Sequence, residues 1–200
     1  FIPQLEKTAL INRLSWWVIN KAAEEKLYLQ KQGIDINMAV NITPHNLQGN
    51  DFISNISSIL NKYNISSSQF ELELTETEIM EELKEGKKLI NLLLKKGYKV
   101  AMDDFGTGYS SFAYLKNLDF DIIKIDLSFV REMETDRRSY EIVKTAIKLG
   151  HVLDKEVVAE GIENKNIMQQ LKELKCDLGQ GYYISKPLFK KEFIEFYRNW

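Results

Sequence analysis

The chain has 200 residues, 44% of them hydrophobic and 28% charged, a composition typical of one soluble globular domain with a substantial core. The formal net charge is −2 and no basic stripe is present, which excludes a long nucleic acid as partner. No apolar run approaches the ~20 residues that cross a bilayer, so we expect no membrane contact by this chain. The single cysteine, Cys176, excludes an internal disulfide and favours a cytoplasmic setting, with a membrane anchor elsewhere in a larger protein still compatible.

Strand and helix patterns alternate along the chain. Alternating or continuous apolar residues predict six strands, at residues 34–41, 70–76, 98–102, 120–126, 156–159 and 178–184. Helical spacing of apolar residues predicts helices at residues 4–30, 52–63, 78–96, 111–118, 138–149, 164–175 and from 190. Such alternation implies parallel strands joined by right-handed crossovers. The expected fold class is therefore α/β, a TIM-like (β/α) barrel in a single domain over residues 1–200, with about six of the usual eight strands.

Two adjacent carboxylates, Asp103 and Asp104, follow the third predicted strand and precede a loop with two glycines. Buried like charges repel, so the pair is costly unless a cation neutralises it. A bend at the strand end brings both carboxylates toward one or two ions, and Mg²⁺ and Mn²⁺ prefer such oxygen ligands. Taken alone, the pair is equally compatible with a solvated turn.

Every predicted strand carries an acid, amide or amine at its C-terminal end, where the active site of a barrel lies. These residues are Asn41, Glu73, Glu76, Asp103, Asp104, Lys124, Asp126, Glu160, Glu163 and Gln180. Solvated turns rarely produce such a complete set. Carboxylates with one amide, one lysine and no His or Cys point to Mg²⁺ or Mn²⁺ rather than zinc. Two such ions ~3.5–4 Å apart can clamp the attacking and leaving oxygens of phosphodiester hydrolysis.

Several of these residues have structural alternatives. Glu76 can cap the helix that follows it. Lys124 and Asp126 can form an ion pair without catalytic purpose, and Gln180, between two glycines, can be a turn residue.

The motifs, in this order, resemble those of EAL-domain proteins. They are Asn41-Ile42-Thr43, Glu73-Leu74-Thr75-Glu76, the run from Asp103 to Ser111, Lys124-Ile125-Asp126, Ala159-Glu160-Gly161-Ile162-Glu163 and Gln180-Gly181-Tyr182. The resemblance extends over essentially the whole chain, and the run from Asp103 is its most specific part. It implies a phosphodiesterase of bacterial second-messenger signalling, which hydrolyses cyclic di-GMP to linear pGpG with two Mg²⁺ or Mn²⁺ ions.

The resemblance also implies roles for individual residues. The implied catalytic residues are Lys124, which contacts the attacking water, Glu160 as general base, and Asp104. The implied metal ligands are Asn41, Glu73, Asp103, Asp104 and Glu160, with Asp103 bridging the ions. Glu76 is implied to anchor a flexible loop, and Glu163 and Gln180 to support metals and substrate. The loop consists of Phe105, Gly106, Thr107 and Gly108.

The Glu-Ala-Leu signature of the family is absent from the sequence. Its metal-binding glutamate, a phosphate-contacting arginine and the two strands missing from the prediction are expected upstream of Phe1. We therefore expect this chain by itself to be inactive or weakly active. Thr43 stands where the family usually has serine, and Leu127 where it often has a basic residue.

The implied partners are cyclic di-GMP, a second copy of the chain and an upstream sensory or GGDEF-type domain. The homodimer is expected through the loop after Asp104 and the next helix. The main alternative is a cyclic di-GMP receptor or regulatory interaction module without catalysis. An unrelated enolase-type barrel also uses carboxylates, lysine and Mg²⁺, but it leaves the run from Asp103 unexplained.

Overall fold

A computed structural model describes residues 10–43, 51–81, 83–108, 115 and 118–200. The chain forms two compact units. Unit 1 consists of Phe1–Leu74 and Glu78–Val100, and unit 2 of Thr75–Thr77 and Ala101–Trp200. Over the described ranges, no helix combines the length and apolar character needed to cross a membrane.

The described residues form six strands, the number predicted, and eight α-helices. The strands are β1 (Met38–Asn41), β2 (Phe70–Thr75), β3 (Lys99–Phe105), β4 (Ile122–Ile125), β5 (Glu156–Ala159) and β6 (Leu178–Gly179). The helices are α1 (Leu10–Lys31), α2 (Phe52–Lys62), α3 (Glu76–Glu81), α4 (Leu83–Lys95), α5 (Leu127–Glu132), α6 (Arg137–Val152), α7 (Lys165–Glu173) and α8 (Lys190–Asn199). Strands therefore alternate with helices, as the sequence predicts.

Unit 1 holds β1 and β2, which pair in parallel. Val40 lies opposite Leu72, and Asn41 lies opposite Glu73. Val40 and Leu72 are buried in the core of the unit, and α1 packs against β1 and α2. Because successive strand residues face opposite sides, Asn41 and Glu73 share the other face of this strand pair.

Unit 2 holds the strands from Ala101 onward, in the order β3-β4-β5-β6. Each neighbouring pair is parallel. All four residues of β4 are buried, as expected for a parallel strand covered on both faces. The helix α6 packs against β4 and β5. Its N-cap residue is Asp136, whose carboxylate accepts hydrogen bonds from the backbone N–H groups of Arg138 and Ser139.

Several predicted element ends differ from the structure: the first strand begins at Met38 and not at residue 34, and the helix predicted at 78–96 corresponds to α3 and α4. Two further ends differ for a clear physical reason. The strand predicted to end at residue 102 continues through the Asp pair to Phe105, because a bulge accommodates one extra residue. The helix predicted to end at Gly150 continues to Val152. A Cβ on Gly150 would overlap Cγ2 of Val157. This glycine therefore permits close packing of α6 on β5 and does not terminate the helix.

Three other predictions differ from the structure or lie outside it. The sequence patterns do not predict α5, which begins after the N-cap residue Asp126. The last predicted strand shortens to β6, since the N–H of Ile184 donates to the carbonyl of Gly181 in a turn. The helix predicted at 111–118 falls mostly outside the described residues.

Candidate functional site

A β-bulge places both carboxylates of the Asp pair opposite one lysine. Met102 pairs with Ile123 and Phe105 with Ile125, so Asp103 and Asp104 both stand opposite Lys124. Asp104 has a φ of 54°, a left-handed conformation in which Asp and Asn are enriched among residues other than glycine. The bulge interrupts the strict alternation of strand side chains, which is how bulges redirect side chains at functional sites.

Lys124 lies between two carboxylates. Its Nζ is 3.1 Å from Oδ1 of Asp103 and 2.7 Å from Oε1 of Glu160. Lys124 and Asp103 are only 5% and 9% exposed. The carboxylates of Asp103 and Glu160 therefore meet at one ammonium group, and the carboxylate of Asp104 interacts electrostatically with all three of these charged groups. Such an excess of negative charge in a buried place favours binding of a cation.

The electrostatic environment of Asp104 reflects this crowding. Burial is the largest cause that raises the pKa of Asp104, followed by the negative charges of Asp103, Asp126 and Glu160. Lys124 opposes the rise. The carboxyl group of Asp104 thus holds its proton more tightly than an ordinary aspartic acid does. A cation bound beside it would favour the ionised form instead.

Glu76 contacts the loop that follows the Asp pair. It is almost completely buried, and its Oε2 accepts a hydrogen bond of 2.8 Å from the N–H of Gly106. A Cβ on Gly108 would lie 2.7 Å from Oε1 of Glu76. The hydroxyl of Thr107 donates to the carbonyl of Asp104 at 2.9 Å. The described part of the loop is therefore tied to Glu76 on one side and to the Asp pair on the other.

The segment from Glu160 to Glu163 lies between α5 and the turn after β6. Gly161 has a φ of 77°, and a Cβ there would lie 2.7 Å from Cβ of Leu127. The N–H of Ile162 donates to the carbonyl of Gln180 at 3.0 Å. Oε1 of Glu163 lies 2.7 Å from Nε of Arg131. Backbone and side-chain contacts thus hold Glu160 and Glu163 in place.

A cavity of about 440 Å³ in unit 2 adjoins these residues. Its polar lining includes Glu160, Glu163, Gln180 and Arg131, and its apolar lining is rich in aromatic rings. A mostly apolar cavity with a few convergent polar groups is typical of a small-molecule site.

Asn41 and Glu73 are the two predicted metal ligands in unit 1. They are register partners on adjacent parallel strands. Asn41 is exposed and Glu73 is buried. Their shared face and position near the C-terminal ends of β1 and β2 agree with the predicted placement.

Within the described ranges, no three His, Cys, Asp or Glu side chains lie close enough together to hold a metal ion. In unit 2 the carboxylates of Asp103 and Glu160 instead meet at the ammonium group of Lys124. The oxygen donors and the surplus negative charge fit Mg²⁺ or Mn²⁺ in chemical type. The ligand roles of individual residues stay predictions.

The sequence patterns do not identify Arg131 as a site residue, because they do not predict α5. A readable signal was present. Asp126 stands directly before Leu127, the first residue of α5, and accepts a hydrogen bond of 3.0 Å from the N–H of Ser128; an Asp in this N-cap position is a common start of a helix.

The sequence of this chain is similar to one protein family and to several curated proteins. Residues 1–187 match the model of a family described as EAL domain. The signaling protein YkoW of Bacillus subtilis is 37% identical over 98% of this chain, which spans 24% of YkoW. The bifunctional diguanylate cyclase/cyclic di-GMP phosphodiesterase MucR of Pseudomonas aeruginosa is 32% identical over 97% of this chain, which spans 28% of MucR. The chain thus spans about a quarter of the length of these relatives.

Solved structures confirm the fold class. The structure described as PaMucR phosphodiesterase in complex with c-di-GMP matches with a TM-score of 0.91 and 31% identity, covering 96% of this chain and 78% of that one. The Klebsiella pneumoniae BlrP1 manganese/cy-diGMP complex matches with a TM-score of 0.80 and 28% identity, covering 90% of this chain and 45% of that one. The predicted α/β, TIM-like fold is therefore correct.

Proposed function

Because the chain belongs to the EAL domain family, we propose that it forms a cyclic di-GMP phosphodiesterase domain, which hydrolyses cyclic di-GMP to linear pGpG in bacterial signalling. The observation that carries the proposal is the position of buried Lys124 between Asp103 and Glu160, beside a cavity. Similarity to proteins named as cyclic di-GMP phosphodiesterases supports the substrate.

The proposed reaction depends on two Mg²⁺ or Mn²⁺ ions. The proposed ligands are Asn41, Glu73, Asp103, Asp104 and Glu160. Ions of this kind, when bound, lower the pKa of water and stabilise the negative charge that develops on phosphodiester oxygens. The manganese in the BlrP1 complex and the carboxylate excess in unit 2 support this choice.

The side chains of unit 2 have distinct proposed tasks. Glu160 accepts a proton from the attacking water as general base. The ammonium group of Lys124 donates a hydrogen bond to that water while it offsets the charges of Asp103 and Glu160. Glu76 holds Gly106, so that the loop after the Asp pair keeps its position. Glu163 and Gln180 support the substrate from the rim of the cavity.

The direct test is incubation of the purified chain with cyclic di-GMP and Mn²⁺, followed by chromatographic detection of pGpG. We expect weak turnover, which Asp103→Asn removes and which EDTA abolishes. A matched control is Glu173→Gln, an exposed carboxylate on α7 that pairs with Gln169. Absence of both turnover and cyclic di-GMP binding in the unmodified chain would refute the proposal.

A receptor that binds cyclic di-GMP without hydrolysing it is the second candidate. One observation favours it, namely that no three His, Cys, Asp or Glu side chains converge among the described residues. Calorimetry separates the two functions. A receptor binds the dinucleotide tightly in EDTA and leaves it intact in Mn²⁺, whereas a phosphodiesterase converts it to pGpG once the metal is added.

We further propose a homodimer through the loop after Asp104 and the helix that follows, together with an upstream sensory or GGDEF-type domain and action in the cytoplasm. Residues 109–114 of the expected contact lie outside the described part of the chain. Nearby in unit 2, a mostly apolar cavity of about 350 Å³ is lined by Phe105, Leu115 and Ile142, among others. The bifunctional name of MucR supports a GGDEF-type neighbour.

A further inference from the structure

The ion pair between Arg131 and Glu163 lies on the lining of the 440 Å³ cavity. The two side chains are 43% and 48% exposed, with Nε of Arg131 2.7 Å from Oε1 of Glu163. Exposed pairs of this kind contribute little to stability, typically under ~1 kcal/mol. Stability alone therefore gives little reason for this pair, whereas its place on the lining lets it orient a polar group toward the cavity.

The contact with Glu163 fixes the direction of the guanidinium group. Arginine has five N–H donors in one rigid plane. Nε lies 2.7 Å from Oε1 of Glu163, and Arg131 also belongs to the lining of the cavity. An arginine that contacts Glu163 through Nε can present its two terminal amino groups as parallel donors to a ligand of the cavity.

The helix α5 holds Arg131 at this place. Leu127 packs against Gly161, as shown by the 2.7 Å that would separate its Cβ from one built on that glycine. Arg131 follows Leu127 by four residues, so both lie on the same face of the helix. The segment from Glu160 to Glu163 therefore contacts α5 at two points. Gly161 packs against Leu127, and Glu163 pairs with Arg131.

The other walls of the cavity suit a planar ring. Tyr182, Phe193, Phe196 and Pro187 are among its lining residues. Aromatic side chains of this kind bind nucleobases by stacking, which tolerates any base. Discrimination between bases then requires a polar group at the base edge.

We propose that Arg131 is a specificity-determining residue, whose terminal amino groups donate hydrogen bonds to O6 and N7 of a guanine base in this cavity. This inference rests on the proposed function and adds the reason for guanine. Guanine presents two acceptors on this edge, whereas adenine presents one acceptor and one donor. An arginine fork therefore accepts guanine and opposes adenine.

The test compares binding of cyclic di-GMP and cyclic di-AMP in EDTA, where metal-dependent turnover is blocked. Arg131→Ala is expected to weaken cyclic di-GMP binding by about 10- to 100-fold, the range of one bidentate contact, and to leave cyclic di-AMP binding unchanged. Arg138→Ala is the control, because Arg138 is an exposed arginine on α6 outside the cavity lining. Its variant should bind as the unmodified chain does.

Arg131→Lys keeps the charge but lacks the planar fork, so it should lose cyclic di-GMP affinity as Arg131→Ala does. Retention of affinity in Arg131→Lys would show a simple charge effect on phosphate and overturn the inference. Unchanged cyclic di-GMP binding by Arg131→Ala would overturn it as well, while the proposed function would stand. If the unmodified chain binds no cyclic di-GMP, the proposed function itself fails. If circular dichroism shows that Arg131→Ala is unfolded, the cyclic di-GMP affinity of Arg131→Lys is sufficient to decide the question.

Discussion

Lys124 is the residue whose environment links structure to the proposed chemistry most directly. Its ammonium group is buried against the carboxylates of Asp103 and Glu160. A lysine used only for stability is more often placed at the surface, since removal of its charge from water is costly. A cation at the point where two acids converge is what a reaction with developing negative charge requires.

Lys124→Ala is expected to lower turnover of cyclic di-GMP in Mn²⁺ by about 10²–10³-fold, because electrostatic stabilisation of this kind is worth ~3–4 kcal/mol. The measurement is the rate of pGpG formation relative to the unmodified chain. Lys144→Ala serves as control, since Lys144 is an exposed lysine of α6 that pairs with Glu141 on the same helix. Turnover of Lys124→Ala within a factor of three of the unmodified chain would contradict the assignment.

The burial of the Cys176 thiol predicts that it reacts slowly with alkylating reagents. Burial, with a smaller effect of the Asp177 charge, raises the pKa of its thiol from 9.0 to about 11. Its Sγ also lies 3.4 and 3.3 Å from the carbonyl oxygens of Val157 and Leu178, and its single S–H can donate to either of them. Because only the thiolate reacts, two pH units lower the reactive fraction at pH 8 about 100-fold. Alkylation by iodoacetamide should therefore be about 100-fold slower in the folded chain than in urea. Equal alkylation rates in the two conditions would show that the folded chain neither shields the thiol nor raises its pKa.

At the scale of elements, α4 and α6 each contain an internal glycine, and the two glycines should respond oppositely to alanine. A Cβ on Gly150 in α6 would overlap the side chain of Val157, which is completely buried. Among the residues that the structure describes, a Cβ on Gly86 in α4 would approach the carbonyl oxygen of Ile79 alone, at 3.9 Å. Overpacking typically costs ~1–3 kcal/mol, whereas alanine in an open helix position gains up to ~1 kcal/mol over glycine.

Gly150→Ala should accordingly lower the free energy of unfolding by about 1–2 kcal/mol, and Gly86→Ala should raise it by up to ~1 kcal/mol. Urea denaturation followed by circular dichroism measures both values. A stabilised Gly150→Ala variant would mean that α6 can move away from β5, contrary to the close packing described above.

The elements also show what sequence patterns could and could not predict. Strands such as β4 and β5 were found because parallel strands are apolar at almost every position. The bulge at Asp103 and Asp104 was not visible, because it depends on the register between β3 and β4. The short helix α5 was missed because six residues carry too little periodicity, and Arg131 was lost with it. Register and short helices are set by tertiary contacts, which a single sequence does not display.

On the scale of the whole molecule, the sequence predicts the α/β, TIM-like fold, which the solved structures confirm, whereas the roles of the candidate site residues stay predictions. Acids, an amide and a lysine at successive strand ends indicated the chemistry before any distance was known. In unit 2 the structure adds the distances that join Asp103, Lys124 and Glu160. The family resemblance supplied the roles, which the geometry of a single unit does not determine.

Metal binding should stabilise the folded chain as a whole, because the folded state gathers carboxylates that repel one another in its absence. Saturating Mn²⁺ at about 100 times its dissociation constant contributes ~2.7 kcal/mol, which corresponds to a rise in Tm of roughly 5–10 °C for a chain of this size. The shift between EDTA and Mn²⁺ is measured by scanning calorimetry for each variant separately. Asp103→Asn should reduce the shift to near zero, and the exposed control Glu173→Gln should keep it in full. An equal shift in both variants would place the bound metal away from the Asp pair.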